Sequence, residues 1–417
     1  MAKITKVQAR EILNSRAEPT VEAKIILDDG YYGAAAAPTG ASISKFEAVE
    51  VRDGDVTRFA GLGVTKAIQT ITSLISPKLT GLEVQDQAKI DQILTSLDGT
   101  ENLAKLGVNA ILPVSTATIV AAAASARMPL WKYISQNFFP NIKPKVPTPL
   151  FNIINGGKHG AANLDFQEFL VVPLTANSYD YNLQMGVEIY LALKKVLSQK
   201  REIYSVGDEG GFAPNLYTNA EAFEVLEEAA SVTSFKPGRE LFFGLDSAAS
   251  HFQQDSLYVI KDRASPLNSQ ELIDFYKELI NRFHLLILED PLGEDDWDGW
   301  KSLTVQLGDR LIIVGDDLLA TNPKRVDEAI QSQAANGILV KPNQIGTITS
   351  TFEIIKKGQE AGWKVVISHR SGETNDSFIA DLSVATAADY VKFGAPARGE
   401  RVAKYNRLSE IFLSLKQ

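Results

Sequence analysis

Six short, largely apolar runs, each closing on a charged or polar residue, leave this chain very few ways to fold. In order they are Leu241–Leu245 before Asp246, His284–Leu288 before Glu289, Leu311–Gly315 before Asp316, Gly337–Val340 before Lys341, Lys364–Ser368 before His369, and Tyr390–Val391 before Lys392. Continuous apolar runs suit strands buried on both faces, as in a parallel sheet covered by helices. Pro342 cannot donate to a sheet ladder, so its strand stops with Lys341 at the C-terminal end. Helical patterns lie between the runs. Asn268–Glu271 reads as a capping-box variant ahead of Leu272, Tyr276, Leu279, Ile280 and Phe283, and Asn322-Pro323 as an N-cap with proline at the first helical position. Ile348, Phe352 and Ile355 mark a helix that stops at Gly362. After a longer first gap, the strand ends recur at roughly the 25 to 30 residues of one βα unit, the repeat of a (β/α)₈ barrel, which collects active-site groups at these ends.

The opening of the barrel breaks the alternation. Leu150–Ile154 and Phe166–Val172 both read as strands, but only about ten residues separate them, fewer than a parallel crossover needs. The two therefore pair antiparallel, and the second strand starts at the mouth where the others end. Gln167 and Glu168 sit at that start, and His159 lies in the connection.

Ahead of the barrel, Val21–Leu27 and Tyr31–Ala37 flank Asp29-Gly30, which reads as a type I′ hairpin. From Thr65 to Ile134 the pattern turns helical, with Gly81 and Gly107 as stops. This predicts a small α+β domain over residues 1–139 and, past a linker punctuated by Pro140, Pro144, Pro147 and Pro149, a barrel domain over residues 140–417. A net charge of −9 argues against nonspecific binding to nucleic acid or anionic membrane. The chain has no cysteine, which excludes disulfides and thiolate metal sites and fits a reducing compartment. The N-terminal residues carry no apolar signal core, so a cytoplasmic protein is expected. The most hydrophobic stretch, Ala110–Ala126, holds Pro113 and several hydroxyls and reads as a buried helix. Gly61-Leu62-Gly63 is no dinucleotide site, because Lys66 stands at the third glycine position and no strand leads in.

A set of segments then carries a family resemblance. Gly40-Ala41-Ser42, Asn152–Gly157, Gln167-Glu168-Phe169, Val206–Gly211, Leu245-Asp246, Glu289-Asp290-Pro291, Gly315–Leu318, Lys341–Gly346, Ser368–Thr374 and Ala403–Asn406 occur in the order found in enolases. Over essentially its whole length the chain resembles that family. The resemblance implies an enolase-type (β/α)₈ barrel with an antiparallel second strand, Mg²⁺ dependence with two ions per site, and reversible dehydration of 2-phosphoglycerate to phosphoenolpyruvate. It also implies a homo-oligomer, dimer or octamer, with no need for nucleic acid or membrane. The lysine base and Mg²⁺ scheme belongs to the family and is taken over with it.

The residues make chemical sense of that assignment. Asp246, Glu289 and Asp316 would stand within a few ångströms of each other, where each like-charge pair costs about 4 kcal/mol at an effective dielectric of 20. That repulsion calls for a cation, and an all-oxygen donor set favours Mg²⁺. By resemblance Ser42 ligates the second ion, Lys341 is the base, Glu209 the general acid and Glu168 its neighbour. Lys341 must be neutral to act, and nearby Lys392 and the metal would depress its pKa. Arg370 and Ser371 would hold the phosphate, Lys392 would sit near both substrate anions, and His159, Gln167 and His369 would line the pocket.

Two departures from the family stand out. Ile43-Ser44 follows Gly40-Ala41-Ser42 where many enolases have Thr-Gly. If position 44 needs a positive φ, serine costs about 1 kcal/mol more than glycine there, and a slower lid is expected. Ala17-Glu18 replaces the usual Gly-Asn. One rival reading is a non-catalytic or moonlighting enolase-fold binding protein, which loss of a site residue would favour, and no expected residue is lost. The other is an acid dehydratase or racemase of the wider superfamily, which lacks this combination of Glu168, Glu209 and Ser368–Ser371.

Overall fold

The computed structural model describes residues 2–41, 44–160, 164–202 and 204–416. Strands β1 (Ile4–Leu13), β2 (Pro19–Leu27) and β3 (Tyr32–Ala36) form an antiparallel meander. Val21, Ala23, Ile25 and Leu27 alternate into the core along β2, as period-two patterning requires. Helices α1 (Gln87–Asp98) and α2 (Val108–Ser125) complete the core of this N-terminal domain. A Cβ on Gly33 would stand 2.3 Å from Ala117 O and Ala121 N, so β3 meets the alanine-rich α2 backbone to backbone. α2 is long and apolar enough to cross a membrane, but 83% of it is buried inside the fold.

Two turn expectations fail here. The β2–β3 loop is not type I′, because Gly30 takes a φ of 87° while Asp29 stays at negative φ. Gly30 N–H donates to Leu27 O (3.4 Å) and Leu27 N–H to Tyr31 O (3.0 Å), which makes a three-residue loop with glycine in the left-handed position. Gly107 (φ 90°) opens α2 as its N-cap instead of ending a helix; the stop is Gly99 (φ 73°), after α1.

Eight strands close the barrel in sequence order: β4 (Thr148–Asn155), β5 (Glu168–Pro173), β6 (Leu241–Asp246), β7 (Leu285–Glu289), β8 (Ile312–Gly315), β9 (Gly337–Val340), β10 (Lys364–Ser368) and β11 (Tyr390–Lys392). β5 runs antiparallel to β4 and β6, and the other neighbours pair parallel. Because β5 is reversed, α3 (Tyr179–Gln199) climbs toward the mouth and α4 (Asn219–Ser231) returns before β6 begins.

Six further helices, α5 (Ser269–Phe283), α6 (Trp297–Leu307), α7 (Pro323–Ser332), α8 (Ile348–Glu360), α9 (Phe378–Ala385) and α10 (Gly399–Leu415), pack outside. Their caps follow the sequence: Asn268 and Glu271 make the reciprocal capping box of α5, and Asn322 accepts from Lys324 N–H with Pro323 opening α7. The N-terminal domain also caps the barrel. Asp91 accepts the Thr349 N–H (2.9 Å) and Ser115 Oγ the Ile348 N–H (3.0 Å), supplying two otherwise unpaired donors at the start of α8.

Inside the barrel Leu150, Leu170, Val172, Ile287, Val314, Leu339 and Val366 form a buried cluster with Tyr390, a packed plug and not a pore. Side chains two apart on a strand share a face. The residues following that plug inward are therefore Asn152, Glu168, Glu289, Asp316, Lys341, Ser368 and Lys392.

Candidate active site

All of these but Asn152, which donates to Glu209, and Glu289, which lies behind Lys392, line one pocket together with Gln167, Glu209, Asp246, Asp290, His369, Arg370 and Ser371 among others. β6 pairs Asp246 directly with Glu289 on β7, and Glu168 on the reversed β5 lies opposite Asp246. Lys392, at the end of β11, reaches all three: its Nζ is 2.9 Å from Asp246 Oδ2, 2.9 Å from Glu289 Oε1 and 3.1 Å from Glu168 Oε2. Lys341 is ion-paired with Asp316. Gln167 Nε2 donates to Asp246 Oδ2 at 3.3 Å.

The charge is unevenly satisfied. Burial first, then Asp246, Asp316 and Glu168, hold the Glu289 carboxyl well above the usual carboxylate range, with Lys392 opposing. Burial works against the Lys392 ammonium, but Asp246, Glu168 and Glu289 raise it well above its ordinary value. At Lys341 burial is the largest influence and lowers the amine, and Arg370 and Lys392 lower it further, the effect expected of Lys392, but Asp316 in direct contact, joined by Glu47, leaves the amine on balance above its ordinary value. The direct contact with Asp316 is an addition to that expectation, which named the neighbouring cations.

A carboxyl driven toward its protonated form among other buried acids marks a donor set short of positive charge, and its hard oxygens suit a divalent ion such as Mg²⁺. Among the described residues, the acids that bring three oxygens within 4.8 Å of one another are Asp290, Asp316 and Asp317, a group that shares Asp316 with the expected set. Asp290 is better read as a brace. Its Oδ1 accepts the Asp316 N–H (3.0 Å) and its Oδ2 the Asp317 N–H (2.7 Å), so it shapes the turn that presents Asp316. Asp246 and Glu289 lie outside that group and contact Lys392 instead.

On the other wall, Glu209 projects from the connection between α3 and α4. Asn152 Nδ2 donates to its Oε2 (3.2 Å) and Ser371 Oγ to its Oε1 (3.0 Å). His369 Nε2 is 3.2 Å from Glu209 Oε2. Burial, aided by Arg401 and opposed by Glu209, takes the His369 imidazole down to about 4, so the ring is neutral. The Arg370 guanidinium is buried and pairs through Nη1 with Glu47 Oε2 (2.8 Å) and Asn343 Oδ1 (3.1 Å). Of the expected site residues, Ser42 lies outside the described residues, as does the side chain of His159, whose backbone closes the short turn Gly157–His159.

The chain matches the family described as "Enolase, N-terminal domain" over residues 4–134 and the one described as "Enolase, C-terminal TIM barrel domain" over residues 143–416. It belongs to the enolase family. The enolase of Acidothermus cellulolyticus is 48% identical to it over 411 residues, 99% of this chain and 94% of that protein. Within the enolase frame, several residues escaped the sequence reading. Glu47 ties Arg370 to Gln344, whose Nε2 donates to Glu47 Oε1 (3.1 Å), and to the Ser44 N–H (3.1 Å). Ala17, where the family usually has glycine, takes a positive φ of 58°. Asn152 and Arg401 were also missed. Each has a local signal: Asn152 is the polar residue inside the apolar run Leu150–Ile154, two residues past Leu150, and Arg401 falls on the stripe that buries Tyr405, Leu408 and Ile411 in α10, where a charge is out of place.

Proposed function

We propose that this chain is a phosphopyruvate hydratase, a glycolytic lyase that reversibly dehydrates 2-phosphoglycerate to phosphoenolpyruvate. The observation that carries the reading is the single buried pocket in which Lys341 and Lys392 stand among Glu168, Glu209, Asp246 and Asp316, in a chain of this family.

Asp246, Glu289 and Asp316, with Ser42, would hold two Mg²⁺ ions. Bound metal supplies positive charge where the substrate carboxylate gains negative charge as its α-proton leaves. Lys341, once Asp316 is engaged elsewhere, loses its ion-pair partner and is the amine placed to take that proton. Glu209 gives a proton to the departing hydroxyl, oriented by Asn152 and Ser371 and with Glu168 nearby. Arg370 and Ser371 bind the phosphate, the planar guanidinium suiting bidentate contact. Lys392 lies between the substrate anions, and His159, Gln167 and His369 line the pocket.

The domains divide near residue 140, into a cap over residues 1–139 and a catalytic barrel over residues 140–417. The enzyme works in the cytoplasm as a homo-oligomer, dimer or octamer, without nucleic acid or membrane. The deciding experiment follows phosphoenolpyruvate absorbance from 2-phosphoglycerate with Mg²⁺ and then with EDTA. Formation of product that stops on chelation is expected. Turnover that ignores the chelator overturns the metal assignment, and no product with Mg²⁺ overturns the activity.

A further inference from the structure

The buried stripe of α10 carries two cations, Arg401 and Lys404, and only one of them has a close carboxylate. Lys404 Nζ meets Glu373 Oε2 at 2.8 Å. Arg401, with a fully buried side chain, has Glu400 Oε1 no nearer than 3.5 Å from its Nε. Its guanidinium is spent on the backbone of two loops instead: Nη1 donates to Arg370 O (2.6 Å), and Nη2 donates to Ser371 O and to Asp208 O (3.2 Å). Nη1 also lies 2.7 Å from His369 Nδ1. A guanidinium has no lone pair to offer, so Nδ1 accepts and the ring proton sits on Nε2. That nitrogen faces Glu209 Oε2 at 3.2 Å.

We propose that Arg401 is a positioning residue for the dehydration: it locks His369 as the Nε2–H tautomer facing Glu209 and ties the segment carrying Arg370 and Ser371 to the loop carrying Asp208 and Glu209. The catalytic part of this rests on Glu209 as the acid, but the tautomer can be read without turnover. The charged groups around the ring are Glu209, Glu373 and Arg401. Arg401 is the one among them that cannot change charge in the working pH range. It therefore holds the ring proton on Nε2, the nitrogen 3.2 Å from Glu209, and bars Nδ1 from taking a second one.

The test uses ¹⁵N-histidine-labelled protein, the His369 signals being assigned by their loss in His369→Asn; the chain has only four histidines. The wild type is expected to show an unprotonated Nδ1 and a protonated Nε2, unchanged from about pH 5 to 8. In Arg401→Met the ring is expected to show mixed tautomers and to bind protons at least about tenfold more readily, with kcat down by about tenfold or more and KM within about threefold. Arg401→Lys keeps the charge but loses the fork, so it restores the titration and not the kcat. A wild-type Nδ1–H tautomer overturns the proposal even if no variant folds, and so does an Arg401→Met protein with unaltered tautomer and titration. If the tautomer is as expected but Glu209→Gln turns over at full rate, the lock stands and the acid assignment falls.

Discussion

The plug of the barrel and its mouth are built by the same strands, two residues apart, and both are buried, yet they are opposite kinds of interior. Ile287, Val314, Leu339, Val366 and Tyr390 fill the plug; Glu289, Asp316, Lys341, Ser368 and Lys392 stand on the same inward face one step further along. The plug is stable because each side chain leaves water for apolar neighbours. The mouth pays desolvation on every charge and recovers it only by mutual pairing, as in Lys392 with three carboxylates. Stability is thus concentrated below and chemical tension above, within one set of hydrogen-bonded strands.

Substitutions should separate the two. Lys341→Met is expected to lower kcat by about 10³ to 10⁴-fold, the range of a lost general base, with steady-state assays as the check. Glu289→Gln should also abolish useful turnover, yet the melting temperature without metal should hold or rise, because it removes a carboxyl that burial and its neighbours already disfavour. A clear fall in that temperature would erase the distinction. In the plug, Leu339→Ala should cost about 2 to 5 kcal/mol in denaturant unfolding, with kcat per folded molecule little changed. Loss of turnover at unchanged stability would place Leu339 in the wrong region.

The pH dependence sharpens the same contrast. His369 falls to about 4 in the folded protein, against about 6.5 unfolded, so the unfolded chain takes up that proton first. The folded state is unpenalised above pH 6.5, loses stability as the pH drops toward 4, and by then has lost on the order of 3 kcal/mol from this group. Unfolding titrations of wild type and His369→Asn should differ across that window and converge above it. The smallest effect is at the turn beside the phosphate segment. Ala17 holds a φ of 58°, and Ala17→Gly should stabilise by about 0.5 to 1 kcal/mol without altering kcat, as measured by thermal melts.

Local signals were legible because each depends on near neighbours in the chain. The strand ends, the Asn268 capping box, the proline-led start of α7 and the reversed β5 all follow from spacing or turn chemistry within a few residues. Asp29-Gly30 shows the limit of that approach, since the same dipeptide serves two loop types and only the strand register chooses between them. The wiring of the site was not legible. Glu47 and Arg370 stand 323 residues apart, and nothing near either announces the pair. The Lys341–Asp316 contact was not legible for the same reason: spacing does not reveal which of several neighbours touches the amine.

The reversal of β5 has a consequence for how this molecule could be altered. Glu209 reaches the pocket on the bend between two outer helices, while the other acids and lysines stand on or beside the strands of the barrel. Exchanging residues between Gln199 and Asn219 would replace the Glu209 segment and leave the pairing among the eight barrel strands in place, at the loss of one bridge from Phe212 to Ile154 at the end of β4.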